Sequence, residues 1–392
     1  MRYFSFLFLL LLTACKNDVL PIASSEPDLS IIPVESARQV YPVVAPINPP
    51  DGLRPCCAFG YNLGVSIIGI PLPVYQIGNI VEANKLGTHH YSDSLLDTAA
   101  NLLNVSDEQV GHIYTDRGGF LDIAHIRDTA DNTFYLFSQI YPRLGQAWQL
   151  ELGDELAKRQ FVFTAFTPPS SPEERYTLSA YLAAQLAFQM AAWHEIAQWY
   201  GLLDVPGFSE EVSGFSPEDL YSNLLGSRLA LTSILQGHAG SLEQYQQSMT
   251  QLLPKALEQL GAESYEGTKR QFMLLDGKWW DSQRRVPEKF LVLYRNYDTG
   301  SNRIPSHDSL LTDNLLRLSL PDVWQGVVLN QIGEFRLLPG DNMERLPVPD
   351  NYWTVNNFSA LAEQAQIIDE SELRSVRRMS RDISHGVVAK KD

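Results

Sequence analysis

The stretch Ala180-Tyr181-Leu182-Ala183-Ala184-Gln185-Leu186-Ala187-Phe188-Gln189-Met190-Ala191-Ala192-Trp193-His194-Glu195-Ile196-Ala197-Gln198-Trp199-Tyr200 carries no charge before Glu195. Alanine and leucine favour the helix, and Gly201 stops the run as glycine commonly does after a last turn. A helix that is apolar all round is buried on most sides. The spacing therefore predicts a central helix from about Leu178 to Tyr200, ending in a histidine and a carboxylate that both look inward. A buried carboxylate costs several kcal/mol unless it is paired or bound to a metal.

Other elements follow outward from this helix. Ser170-Ser171-Pro172-Glu173-Glu174 is a helix-start signal. Ser216-Pro217-Glu218-Asp219 opens a second helix, to about Leu235, with Ser216 as N-cap and Pro217 at the first position. Helices are also expected over 95–104, 241–261 and from Phe120 to about Tyr141, the last after a Gly118-Gly119 turn. Gly111 to Thr115 and Phe161 to Phe166 read as strands. Residues 51–80, broken by glycine and proline, read as loops and short buried pieces, and 268–345 as short strands and turns. The expected class is mainly α with minor β (α+β). A helical core with short strands forms one large domain over 51–350, followed by a polar, partly helical tail at 351–392.

Net charge is -16 with no basic block, which argues against nucleic-acid binding, since that needs positive surface to displace counterions. The start of the chain is more telling. Arg2 precedes an apolar run from Phe4 to Leu12, and Leu12-Thr13-Ala14-Cys15 closes it. The run is too short for a permanent membrane helix, which needs about 20 residues, and small residues before a cut suit a signal peptidase. The pattern resembles the bacterial lipobox, which implies removal of residues 1–14 and lipid on Cys15. Several acyl chains anchor stably where one would not. Lys16, where Asp would favour inner-membrane retention, leans towards an outer-membrane lipoprotein facing the periplasm. Prolines punctuate the rest of 15–50, as in an extended, disordered tether. Membrane contact is expected through the lipid alone.

Two further cysteines are adjacent, in Arg54-Pro55-Cys56-Cys57-Ala58-Phe59-Gly60. Cys56 and Cys57 are read as either a strained vicinal disulfide or two buried thiols. A thiol nucleophile working with His125 is a further possibility.

His194-Glu195 is the first half of the HExxH zinc motif, in which two histidines bind zinc and the glutamate is the base. Gln198 stands where the second histidine should be. Thermolysin-like peptidases take a third ligand from a later helix, and at that spacing stands Glu218. The missing imidazole is sought in Asp122-Ile123-Ala124-His125-Ile126-Arg127-Asp128, whose Asp122, His125 and Asp128 are neighbours on a helix. The expected site has His194, His125, Glu218 and Asp128 as zinc ligands and Glu195 as base. Arg117 or Arg127 would steady an oxyanion or a substrate carboxylate. The plainer alternative is a polar network without metal. The loop pair His89-His90 reads as a surface feature. No G-x-S-x-G elbow, Walker loop or G-x-G-x-x-G occurs.

Four stretches resemble, as a set, a bacterial lipoprotein family known as domain of unknown function 4056. They are Arg54 to Gly60, Arg117-Gly118-Gly119-Phe120 to Asp131, Trp193-His194-Glu195 to Gly201, and Phe215-Ser216-Pro217-Glu218-Asp219-Leu220-Tyr221-Ser222-Asn223. The resemblance spans roughly 51–350 and implies an envelope location without a mechanism. The expected function is that of an envelope lipoprotein acting as a metal-dependent hydrolase on peptide, glycan or lipid. The alternative is a non-enzymatic periplasmic binding or scaffold lipoprotein.

Overall fold

The computed structural model describes residues 41–42, 45–50, 54, 58–67, 70–77, 79–91, 108–202, 209–308, 314–341 and 343–388. The signal segment, Cys15, Cys56, Cys57 and the helix expected over 95–104 lie outside these. Among the described residues no helix is long and apolar enough to cross a membrane.

The fold is mainly α with minor β. The stretch that opens the sequence reading lies in a helix running Pro172–Trp199, which starts at the Ser171 cap with Pro172 in its first turn. It is buried along nearly its whole length from Leu178. Two helices flank it, α1 (Ile123–Ile140) before it and α3 (Asp219–Leu235) after it, so the long helix is α2. All three pack on one another, and the α1–α3 contact is the most extensive. Gly226 explains how close that contact is. A Cβ there would stand 2.1 Å from the Ile126 carbonyl oxygen, so α3 lies against the backbone of α1.

The other side of α2 meets a three-stranded antiparallel sheet. Its order is β8 (Gly333–Leu338), β6 (Lys158–Phe163), β5 (Trp148–Glu151). Two further helices complete the centre of the chain, α4 (Leu242–Gln259) and α5 (Tyr265–Leu275). The sequence pattern missed α5. Ser264 caps it, but its outward face is mixed enough to read as turn. Strands β1 (Leu63–Ile67) and β2 (Ile70–Ile77) pair antiparallel, and β1 also pairs in parallel with β7 (Arg285–Val286).

The chain's expected ends are partly drawn into this body. Ile47 donates its amide to Ser138 and accepts from Gln139. Residues 351–392 include α6 (Phe358–Val388), which places Phe358, Leu361, Ala362 and Ala365 in the main core. The polar tail of the sequence reading is therefore anchored at its first turns by an apolar stripe.

One hairpin positions the site. β3 (His112–Thr115) pairs antiparallel with β4 (Gly119–Asp122), with His112 opposite Asp122. The tight turn needs Gly119 at φ +62, and Thr115 Oγ1 accepts from the Gly118 amide. Asp122 then ends the strand and caps α1 through the Ala124 and His125 amides. This is why α1 begins at Ile123 and not at Phe120.

Candidate metal centre

Six ionisable side chains meet where the β3–β4 hairpin, α1, α2 and the start of α3 converge. They are His112, Asp122, His125, Glu195, Glu218 and Asp219, and each is buried. They fall into two halves that share Asp122.

The first half is closed by hydrogen bonds. His112 Nε2 lies 2.8 Å from Glu218 Oε1, and His112 Nδ1 lies 3.2 Å from Asn79. Ser216 Oγ donates to the other Glu218 oxygen at 3.0 Å. Apart from the shared Asp122, only Asn79 Oδ1 lacks a partner here.

The second half is different. Asp122 Oδ1 accepts from the backbone of Ala124 at 2.6 Å, but its Oδ2 has no hydrogen-bond partner. Glu195 Oε2 accepts from the Phe215 amide at 2.8 Å, but its Oε1 has none. Both oxygens of Asp219 and the Nδ1 of His125 are also without one. His125 stands among them, with Nδ1 3.5 Å from Asp122 Oδ2. Its Nε2 is 3.5 Å from Glu195 Oε1 and 3.7 Å from Asp219 Oδ1. These separations are long for hydrogen bonds. Ligand atoms about 2.1 Å from a tetrahedral ion lie about 3.4 Å apart, and an ion takes only one nitrogen of an imidazole, so either the Nδ1 separation from Asp122 or the Nε2 separations from Glu195 and Asp219 match edges of one coordination shell. Asp122, His125 and Asp219 could hold a metal ion.

Charge points the same way. Four carboxyls face two imidazoles, so full ionisation would leave two negative charges even with both rings protonated. Buried Arg303, lowered to about 10 by its burial, feels Glu195 and offsets at most one of them. Burial pushes Asp219 well above the usual carboxylate range. His125 opposes the shift, and Glu195, Glu218 and Asp122 add to it. Burial alone would lower His125, but Asp219 and Asp122 outweigh it and hold the ring well above its ordinary value.

The structure separates the residues expected from the sequence. His125 and Glu195 meet directly, while Glu218 stands beside them and faces His112. Neighbouring residues of a helix diverge by about 100°, so His194 does not follow Glu195. Its Nδ1 lies 3.3 Å from Glu155 Oε1. His194, His125 and Asp128 nevertheless line one small cleft of about 50 Å³, with Arg54, Glu155, Arg159 and Asn223.

Asp128 is held by Arg54, at 2.6 Å to the guanidinium and 3.0 Å to the amide. Arg127 is held by Glu108 at 2.6 Å and by the Leu86 carbonyl. Both belong to a second buried network. In it Arg54 also reaches Glu108 and Asp131, and Asp131 takes His89 at 2.8 Å and Tyr245 at 2.9 Å. His89 is thus fully buried and not the surface residue its loop suggested. Arg117 sits in the hairpin turn, its backbone paired with Leu260 and Leu316.

Sequence reasoning passed over His112 and Asp219 as ligands and took Asp122 only as a helical neighbour of His125. The signals were present. A strand ending in a tight glycine turn brings His112 opposite Asp122. Asp219, next to Glu218, is the residue that opens α3.

A family model described as "Protein of unknown function (DUF4056)" matches residues 44–309. No match was found among curated proteins or solved structures.

Proposed function

The chain belongs to the DUF4056 family, and for it we propose a metal-dependent hydrolase of the bacterial envelope, held by lipid on Cys15. One observation carries the reading. Five buried polar atoms on Asp122, His125, Glu195 and Asp219 lack hydrogen-bond partners within one cluster. Each such atom costs about 1–3 kcal/mol when left unsatisfied, and a single divalent cation taking one ligand atom each from Asp122, His125 and Asp219 would satisfy up to three of them. One imidazole with carboxylates is a donor set that zinc accepts.

In this reading Asp122, His125 and Asp219 hold the ion. A bound zinc ion there supplies Lewis-acid activation of a water. Glu195 Oε1, beside His125 and without a partner, takes the proton. Substrate approaches along the cleft, which reaches the cluster at His125. The lipid anchor and the proline-rich tether support envelope peptide, glycan or lipid as the material cut.

The enclosure of Asp122 and Asp219, both fully buried, favours a second reading. There the ion only fastens the hairpin to the three helices, as closed sites do, and the protein is an envelope scaffold.

Elemental analysis and zinc titration of the purified protein test the first premise. About one equivalent per chain, removed by chelator with a fall in melting temperature, is expected. No bound metal and unchanged melting would sink both readings. Chelator-sensitive cleavage of an envelope peptide, glycan or lipid ester then separates hydrolase from scaffold. Labelling with radioactive palmitate, lost in Cys15→Ser, checks the anchor.

A further inference from the structure

We infer that Asn223 binds an acceptor oxygen of the substrate, and that the substrate offers a small carboxyl or acyl group to the cleft beside His125. The inference rests on the metal-centred reading above.

Asn223 lies one turn beyond Asp219 on α3, and Thr129 one turn beyond His125 on α1. The two helices therefore answer each other turn for turn. His125 faces Asp219, and Thr129 faces Asn223. Thr129 Oγ1 donates to Asn223 Oδ1 at 2.6 Å, which takes up the amide oxygen. The amide nitrogen, Nδ2, is left buried and without a hydrogen-bond partner. Asn223 is only 3 % exposed, yet it lines the cleft that also takes in His125. Its Nδ2 is the group it has left to offer there. Fixed donors of this kind stabilise charge developing on an oxygen, because they need no reorganisation when it arrives.

The His194 side of the cleft, opposite in character to the Asp128 carboxyl, suits the same ligand. His194 and Arg159 share the single carboxylate of Glu155, so this trio keeps a positive charge when the imidazole is protonated. Ala187 and Ala191 form a small apolar wall. About 50 Å³ admits a compact group and no bulky side chain.

The test uses the purified full chain loaded with Co2+, titrated with acetohydroxamate and followed by visible absorption. Asn223→Asp keeps the acceptor for Thr129 and removes the donor, and Asn223→Ala removes both. With cobalt content and melting unchanged, each should weaken acetohydroxamate by about tenfold, the effect of one lost hydrogen bond to a polarised group. Wild-type affinity in both variants at full cobalt content overturns the inference.

If the chain binds no cobalt, the metal-centred reading fails by itself, and the inference is then decided on the metal-free protein. The side-chain amide resonance of Asn223, identified by its loss in Asn223→Asp, should shift as acetate is added. An unmoved resonance overturns the inference.

Discussion

Asp219 Oδ1 stands 3.7 Å from His125 Nε2, and neither oxygen of Asp219 receives a hydrogen bond. Without a cation this carboxyl lies buried among three others, and burial with their repulsion holds it well above the usual carboxylate range. Asp219→Asn should therefore act with opposite signs in the two states. The chelated protein should melt at or above the wild type, because a carboxyl whose ionisation burial and its neighbours oppose is gone. The zinc-loaded protein should lose the added stability that tight binding provides. Melting curves with and without chelator check this. A variant that binds zinc like the wild type would remove Asp219 from the site.

Gly226 sets the distance at which Asp219 and His125 meet. An alanine Cβ would enter the space held by the Ile126 carbonyl, 2.1 Å away. Gly226→Ala should wedge α3 from α1, at a cost of about 1–3 kcal/mol, as overpacking of a tight core does. Zinc affinity should fall with it, since Asp219 rides on α3 and His125 on α1. Urea unfolding and zinc titration together read both effects.

The helical core was legible because its signals are local. Ser171-Pro172, the uncharged run to Trp193 and Gly201 mark α2 without reference to anything else. The site was legible only in part. Glu195 and His125 could be found because each is a polar residue in an apolar or polar-dense helix. Asp219 was hidden by its neighbour Glu218, which has the more suggestive spacing from His194. Which of two adjacent acids faces His125 depends on where α3 starts, and Ser216 to Glu218 form a turn before it. The pairing of His112 with Asp122 is a hairpin register, and that of Arg54 with Glu108 is a contact between distant segments. Neither leaves a trace in a helical or strand period.

Arg54 binds three carboxylates, those of Glu108, Asp128 and Asp131. Removing it leaves those charges buried with fewer partners. Arg54→Ala should cost about 3–5 kcal/mol, as for other broken buried pairs. Arg54→Lys should recover little, since one ammonium cannot reproduce the fork of a guanidinium. Urea midpoints at neutral pH measure both. A loss in Arg54→Ala as small as that of a surface substitution would contradict the network's role.

Acid should find the same network. Burial would raise Glu108, but Arg54 and Arg127 outweigh it and hold the carboxyl down at about 2. A folded value below the unfolded one gives stability that is present above about 4.5 and is lost as pH falls towards 2. Glu108→Gln should be destabilised at pH 7 and show a shallower further loss between pH 5 and 3. Parallel acid dependence in variant and wild type would assign the acid lability to other groups.

His194 gives the contrasting case at high pH. Burial opposes its charge, but Glu155 overrides this and pushes the ring up to about 9. A folded value above the unfolded one gives stability that is complete below about 6.5 and is lost as pH rises to about 9. The wild type should therefore lose on the order of 1–3 kcal/mol across that window, and Glu155→Gln should flatten the loss. His194→Ala should flatten it too, while leaving zinc content unchanged, because its ring faces Glu155 and not the cluster of Asp122, His125 and Asp219. Loss of zinc in His194→Ala would instead return His194 to the ligand role suggested by its place beside Glu195.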